Sequence, residues 1–194
     1  AARGRHRVDA AVSEDGEVVG IVNGTIYNYV ALRQRLERRH GFSTASDCEV
    51  AIHLYEDHGP GFAELMHGQF ALALYDRRRR RVCLIRDRLG IKPLFYARAG
   101  NRLLFGSEIK ALLAHPDCPR GLEWEGLLGD PTMFGALPTD PEPTSGFLGI
   151  HHLGPGTILE IDIDTGRLAE RDYWTLPQPG VALATRGGYG LTRL

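Results

Sequence analysis

An amide side chain and a glycine follow one another at Asn23 and Gly24, directly after the apolar run 18–22. The run is typical of a β-strand that delivers the amide, and glycine lets a ligand approach its backbone N–H closely. Two neighbouring neutral donors suit the oxyanion that forms when a nucleophile attacks an amide or ester carbonyl. Asn-Gly is also the commonest two-residue hairpin turn, so this fragment alone leaves both interpretations open.

Four further motifs follow in a fixed order along the chain. They are Ser46-Asp47-Cys48-Glu49, Gly68-Gln69-Phe70-Ala71-Leu72-Ala73-Leu74-Tyr75-Asp76, Arg86-Asp87-Arg88-Leu89-Gly90-Ile91-Lys92-Pro93-Leu94 and Ser107-Glu108-Ile109-Lys110-Ala111-Leu112. Together they resemble the glutaminase domain of the asparagine synthetases, which are class II, N-terminal-nucleophile glutamine amidotransferases. The resemblance covers residues 17–114 and resumes weakly over residues 149–176.

The resemblance implies an α+β fold, the N-terminal-nucleophile αββα sandwich of two antiparallel sheets flanked by helices, here incomplete at the N-terminus. We expect one partial glutamine amidotransferase type-2 domain over residues 1–174, with an irregular segment at 115–149. Six prolines and many glycines in that segment predict a long connection with one helical turn near Trp124 to Leu128. A tail without predicted structure follows at 175–194.

The chemistry that the resemblance implies is glutamine hydrolysis by an N-terminal cysteine. Its thiolate attacks the side-chain carboxamide, a γ-glutamyl thioester forms, and ammonia departs. Asn23 and Gly24 match the oxyanion donors, and Asp47 matches the carboxylate that holds the α-ammonium of glutamine. From the residues alone, Asp47 is equally interpreted as a helix N-cap, and we favour substrate contact by Asp47 with capping by Ser46.

The chain departs from the family pattern in three places. It starts at Ala1 and contains no cysteine before Cys48, so we expect the nucleophile and the segment that carries it to be absent. Thr25 stands where the family usually has a glutamate that helps bind the amino group, which removes a charge-assisted contact of about 1.5–3 kcal/mol. The synthetase domain is also expected to be absent, and with it any use of ATP and Mg²⁺. We therefore expect this chain alone to be inactive as a glutaminase.

Apolar periodicity predicts two helices followed by consecutive antiparallel strands. The first two helices are Ile26–His40 and a second from Ser46 or Asp47 to about His58, and a short third helix is predicted later in the chain, from Ser107 to Leu113. The predicted strands are Phe70–Tyr75, Val82–Ile85, Leu94–Ala97, Leu103–Phe105, Thr157–Asp162 and Leu168–Trp174.

The composition of the chain limits the classes of partner that we expect. The net charge of −1 gives no reason to expect nucleic acid, and no apolar run approaches the length of a membrane span. Three scattered cysteines form neither a disulfide framework nor a metal motif, which suits a cytoplasmic protein. Expected partners are glutamine and either a synthetase domain or a second copy of the chain.

Other candidate groups are better explained structurally. Carboxylates beside Cys48 oppose thiol activation, Cys83 lies in an apolar strand, and Cys118 lies in the proline-rich segment. Arginines 77–81 are expected in a solvated turn, and His151-His152 lacks a carboxylate at metal spacing, so no metal site is expected.

The pair Arg86 and Asp87 matches family residues that brace a loop near the active site, a structural role.

The sequence leaves two function classes open. One is the glutamine-hydrolysing domain of an asparagine-synthetase-type amidotransferase, and the other is a non-catalytic remnant that binds glutamine or docks onto a partner.

Overall fold

The structure, a computed structural model, describes residues 8–124 and 145–176. In chain order its elements are β1 (Val8–Val12), β2 (Val18–Ile26), α1 (Tyr29–Leu36), α2 (Asp47–His58), a 3-10 helix (Gly59–Leu65), β3 (Gly68–Asp76), β4 (Arg81–Arg86), β5 (Phe95–Ala99), β6 (Arg102–Gly106), α3 (Ile109–Leu113), β7 (Ile150–His152), β8 (Thr157–Asp162) and β9 (Leu168–Asp172).

The strands form two antiparallel sheets. The larger has the strand order β1-β2-β3-β4-β8-β9, and the smaller has the order β6-β5-β7. One apolar core joins the larger sheet to α1 and α2, a second lies between the two sheets, and a third joins the smaller sheet to α3. These cores separate four layers, so the expected αββα sandwich is confirmed.

The central strand β3 shows how the sequence builds two of these cores. Because side chains alternate across a strand, Phe70, Leu72 and Leu74 pack toward the helices. Ala71 and Ala73 point to the opposite side and pack between the sheets. The inter-sheet face of β3 therefore carries only methyl groups at these two positions, which leaves space above it.

Helix α2 begins and ends where the sequence predicts. The Ser46 hydroxyl accepts a hydrogen bond from the Cys48 N–H, and Gly59 follows the last helical residue with a positive φ of 59°. The capping by Ser46 is thereby confirmed, and the Asp47 carboxylate is directed elsewhere. Residues 48–55 are all buried, so α2 is the main helix of its layer.

Two helix boundaries differ from the prediction. The first helix starts at Tyr29 rather than Ile26, because β2 continues to Ile26, where it pairs with Gly68. It ends at Leu36, whose carbonyl accepts from the N–H groups of the following turn. The third helix starts at Ile109 rather than Ser107, because the Ser107 hydroxyl accepts a hydrogen bond from a strand of the larger sheet instead of capping.

The predicted hairpins are confirmed by the pairing of β3 with β4, of β5 with β6, and of β8 with β9. The arginine run forms the turn between β3 and β4, as expected. Its side chains pair with carboxylates of neighbouring loops, Arg78 with Asp15 and Arg80 with Asp164.

Some expectations fall outside the described residues. The helical turn predicted near Trp124 to Leu128 lies outside them except for Trp124, and the predicted tail lies outside them from residue 177 onward. Within the described ranges, no helix combines the length and the apolar character that crossing a membrane needs.

Glu49 fixes the loop that leads into α2. Its carboxylate accepts four hydrogen bonds, from the N–H and the hydroxyl of Ser43 and from the same two groups of Thr44, at 2.6–2.9 Å. Burial raises the pKa of Glu49, but these donors outweigh it and hold the pKa below the ordinary value of 4.5.

We predict that the Glu49 carboxylate makes the free energy of unfolding fall as the pH becomes acidic. Because its pKa is lower in the folded state, its contribution is complete above the unfolded value and is lost as the pH falls through the folded one. Glu49→Gln should lower the free energy of unfolding by about 1–3 kcal/mol at pH 7 and flatten the decline below pH 4.5. Urea unfolding between pH 3 and 7 would measure both effects, with Glu64→Gln on the exposed surface as the control. Equal stability of Glu49→Gln and wild type across this range would contradict it.

Candidate functional site

A cavity of about 550 Å³ lies between the two sheets and holds one predicted site residue, Asn23. The cavity is lined by Ile21, Asn23, Ala71, Ala73, Ile91, Lys92, Pro93, Leu94, Phe105, Gly106, Ser107, Glu108 and Ala111. Most of the wall is apolar, and a few polar groups converge on it, an arrangement typical of small-molecule sites. The two alanines of β3 leave this space open because they carry no longer side chain.

The carboxamide of Asn23 is held in place across the cavity. Its Nδ2 donates to the Ser107 hydroxyl at 2.9 Å, which joins β2 to the loop between β6 and α3. A carboxamide nitrogen carries two hydrogens, so one N–H fixes the orientation of the group while the other remains available as a donor.

Gly24 follows in the same strand and is pressed against β3. Its φ is +143°, and a Cβ built there would lie 2.0 Å from the Gln69 carbonyl oxygen. Only glycine fits this position, because any side chain would overlap the neighbouring backbone. The hairpin-turn alternative for Asn23-Gly24 is wrong, since both residues lie within β2 and pair with Ala71 and Phe70.

The ladder also directs the N–H of Gly24. Its partner Phe70 turns both backbone polar groups toward Asp87: the Phe70 carbonyl accepts from the Asp87 N–H, and the Phe70 N–H donates to Asp87 Oδ2. In such a pair both residues turn their polar groups outward, so Gly24 directs its N–H away from β3, toward the β1 side. The first described residue of β1, Val8, lies opposite Asn23. The described part of β1 therefore contains no residue opposite Gly24.

Asp47 lies on the same side of β2. Its Oδ2 accepts a hydrogen bond of 2.7 Å from the N–H of Ile26, which alternation directs to the same edge as Gly24. The helix start thus places a carboxylate two residues along the strand from the glycine. Thr25 lies between them and is exposed.

The pair Arg86 and Asp87 braces the loop that forms one cavity wall, as expected. Arg86 donates to the carbonyls of Gly90, Lys92 and Leu153, and burial lowers its pKa, which neighbouring Asp87 partly offsets. The buried Asp87 carboxylate accepts from four backbone N–H groups, those of Phe70, Leu89, Ile91 and Lys92.

The three cysteines are buried, which fits their expected non-catalytic roles. Burial and the carboxylates of Glu160 and Asp76 raise the pKa of Cys83 to about 12. The Cys48 sulfur faces the carbonyl of Gly20 at 3.7 Å. A thiolate nucleophile needs access to its substrate and a lowered pKa, so none of these thiols is suited to that role.

The structure therefore places Asn23 on the cavity wall, with Gly24 and Asp47 along the adjoining strand edge and Thr25 exposed between them. The sequence did not reveal Ser107 or Glu49 as residues that position this region. Ser107 lies 84 residues from Asn23, and no local pattern signals a contact of that range.

Comparison with known proteins gives the family of the chain. The family model described as "Glutamine amidotransferase domain" matches residues 9–174. The chain is 45% identical over 166 residues to asparagine synthetase [glutamine-hydrolyzing] 2 of Bacillus subtilis (strain 168), covering 85% of this chain and 22% of that protein. It is 40% identical over 145 residues to asparagine synthetase [glutamine-hydrolyzing] 3 of the same strain, covering 74% of this chain and 23% of that protein.

A solved structure shares the fold at low sequence identity. Glutamine phosphoribosylpyrophosphate amidotransferase of B. subtilis, complexed with ADP and GMP, superposes with a TM-score of 0.58 at 20% identity. The match covers 87% of this chain and 32% of that one. The chain thus spans about a third of the length of that solved structure and less than a quarter of the length of each asparagine synthetase.

We predict that Gly24 tolerates no side chain. Gly24→Ala should lower the free energy of unfolding by about 3 kcal/mol or more, because the new Cβ would overlap the Gln69 carbonyl. Gly100→Ala is the matched control: its φ is also positive, at +62°, but a Cβ there meets nothing within 4 Å, so only about 1–2 kcal/mol should be lost. Urea unfolding of both variants would test the difference, and equal losses would refute the close contact.

Proposed function

The chain belongs to the family of glutamine amidotransferase domains, and on that premise we propose that it is the ammonia-supplying glutaminase domain of an asparagine-synthetase-type, ATP-dependent amidotransferase. The observation that carries the proposal is the Asn23 carboxamide, fixed by Ser107 on the wall of an apolar cavity and followed by Gly24. This pair supplies neutral donors for the oxyanion of a tetrahedral intermediate.

In the proposed reaction a thiolate attacks the side-chain carbonyl carbon of glutamine, and the carbonyl oxygen takes up the negative charge. The free N–H of Asn23 Nδ2 and the N–H of Gly24 donate to this oxygen. Because both donors are neutral, they stabilise the oxyanion without transferring a proton to it. The α-amino group of the N-terminal cysteine, which took the proton of the thiol, passes it to the departing nitrogen as the C–N bond breaks. Ammonia leaves, and a γ-glutamyl thioester remains for hydrolysis.

The distance between Gly24 and Asp47 along the edge of β2 suits glutamine. The N–H groups of residues 24 and 26 are two positions apart, about 6.8 Å along an antiparallel strand. The α-nitrogen and the side-chain oxygen of an extended glutamine are separated by about 6 Å at ordinary bond lengths. We therefore propose that Asp47 accepts from the α-ammonium while Gly24 faces the reacting carbonyl.

Thr25 makes no ionic contact with the α-ammonium group in the proposed arrangement. Its side chain is neutral and exposed, so in our proposal Asp47 alone neutralises the ammonium group. A single carboxylate gives a weaker contact than a pair would, so glutamine binding should be sensitive to the charge at position 47.

We further propose that residues 1–194 alone bind glutamine without hydrolysing it, since all three thiols are buried. The alternative is a non-catalytic glutamine-binding or partner-docking remnant. The DNA upstream of Ala1 separates the two: an in-frame Met-Cys followed by the N-terminal motifs of the family supports the enzyme, and a nearby start codon without cysteine supports the remnant.

The step that uses the ammonia requires the whole amidotransferase and not this domain alone. We propose that the ammonia passes to a carboxylate activated by ATP and Mg²⁺ in a synthetase domain, with that domain or a second copy of the chain as the partner. A cytoplasmic location would supply both glutamine and ATP.

We predict that the native chain protects all its thiols. Ellman's reagent should modify none of the three cysteines within minutes in buffer and all three in urea, and incubation with glutamine should release no ammonia. Rapid modification of one native thiol together with ammonia release would show that a cysteine of this chain is the nucleophile.

We predict that L-glutamine binds to the chain and that binding depends on the Asp47 charge. Asp47→Asn keeps an oxygen that can accept from Ile26 N–H, so the fold should persist while the affinity falls at least about 10-fold. Calorimetric titration of wild type, Asp47→Asn and Asp164→Asn, an exposed control, would measure this. Equal affinity of wild type and Asp47→Asn would exclude the proposed contact with the ammonium.

A further inference from the structure

Two histidines and a glutamate meet at the far end of α2, away from the glutamine site. His53 and Glu56 lie one helical turn apart on α2, and His40 faces them from the segment after α1. Glu56 Oε2 lies 2.7 Å from His53 Nδ1 and 3.6 Å from His40 Nδ1. Their possible ligand atoms all lie within 4.8 Å of one another.

The second nitrogen of His40 determines what its first nitrogen can do. His40 Nε2 lies 3.2 Å from Asp57 Oδ1, so the proton of a neutral ring is placed on Nε2, where it donates to this carboxylate. His40 Nδ1 then presents a lone pair toward Glu56 Oε2, which is itself an acceptor. Two facing lone pairs repel each other unless a cation lies between them.

We propose that His40, His53 and Glu56 bind a divalent transition metal ion, with Zn²⁺ as the best fit. Two imidazole nitrogens and one carboxylate oxygen, completed by water, form a common tetrahedral zinc donor set. In such a site neighbouring ligand atoms are about 3.4 Å apart for metal–ligand distances near 2.1 Å. The separation of 3.6 Å between His40 Nδ1 and Glu56 Oε2 is close to this value. On binding, the Glu56 side chain would move away from His53, and the two stacked rings would tilt so that both Nδ1 atoms face the ion.

The surroundings hold the two rings side by side. Asp57 orients His40 from the second nitrogen, the role that carboxylates play behind metal-binding histidines. The rings of His40 and His53 stack with centroids 4.4 Å apart, and the edge of Phe42 packs against His53. His53 is fully buried, and its Nε2 has no hydrogen-bond partner among the described residues, so this ring depends on its Nδ1 contact.

Access and charge also suit a cation. Glu56 and His40 keep 23% and 14% of their side chains exposed, which leaves a route for an ion to enter. Glu56 and Asp57 supply two carboxylates, while the neighbouring Arg39 is 74% exposed and lies 3.5 Å from Asp57. The exposed arginine is well solvated, so its charge opposes the ion only weakly.

The site is separate from the proposed glutamine site. His53 lies six residues beyond Asp47 on α2, about 9 Å along the helix axis. The proposed metal would connect the end of α1 to the second half of α2, so its expected effect is on stability. A failure to bind glutamine would not contradict the proposed metal site, and a failure to bind metal would not contradict the proposed glutamine site.

The test is titration of the untagged, metal-free chain with ZnCl₂. We expect one ion per chain, a dissociation constant of about 10 μM or lower, and a rise in Tm of about 5 °C or more at saturating zinc. Co²⁺ should give the intense visible bands of tetrahedral coordination. His40→Ala and Glu56→Gln, both at partly exposed positions, should lose the site, and Asp57→Asn should weaken binding about 10- to 100-fold.

His58→Ala is the matched control, because this exposed histidine is on the same helix outside the cluster. It should bind zinc like the wild type. If the wild-type chain binds no zinc, or binds it no more tightly than His40→Ala and Glu56→Gln do, the proposal is overturned and protons alone hold the cluster together.

Discussion

The close contact between Gly24 and the backbone of β3 is the constraint on which the candidate site depends. Because no Cβ intervenes, β2 runs without interruption past Asn23 and pairs with β3 as far as Ile26. This continuity keeps Asn23 on the inter-sheet face and directs the N–H groups of Gly24 and Ile26 to one edge. A residue with a side chain at this position would push the two strands apart and separate these groups.

The layered fold follows from patterns that are local in the sequence. Strand β3 alternates bulky residues toward the helices with alanines toward the second sheet, and Ser46 and Gly59 bound α2. Such signals allowed the helices and the hairpins to be predicted, whereas the sandwich of two antiparallel sheets was implied by the resemblance to the family. The start of α1 was predicted wrongly because Ile26 has the same apolar character in a strand as in an amphipathic helix, and only its pairing with Gly68 decides between them.

The candidate site was predictable only in part. Motif resemblance pointed to Asn23, Gly24 and Asp47, but it gave no indication that Asp47 accepts from Ile26 or that Ser107 holds Asn23. These contacts join residues 21 and 84 positions apart, and they arise from the way the two sheets and α2 pack. The histidine cluster was not predicted for the same reason, because His40 lies in the segment after α1 and packing brings it to His53 and Glu56 on α2.

The loop of residues 87–92 is held from two sides, by the Arg86 guanidinium on its carbonyls and by the Asp87 carboxylate on its N–H groups. Charged groups that bond to so much of one short backbone restrict its motion before any ligand arrives. This wall of the cavity is therefore preorganised, and a ligand entering there loses little affinity to conformational entropy. Differences in affinity between ligands should then reflect their fit to a fixed shape rather than their ability to reshape the loop.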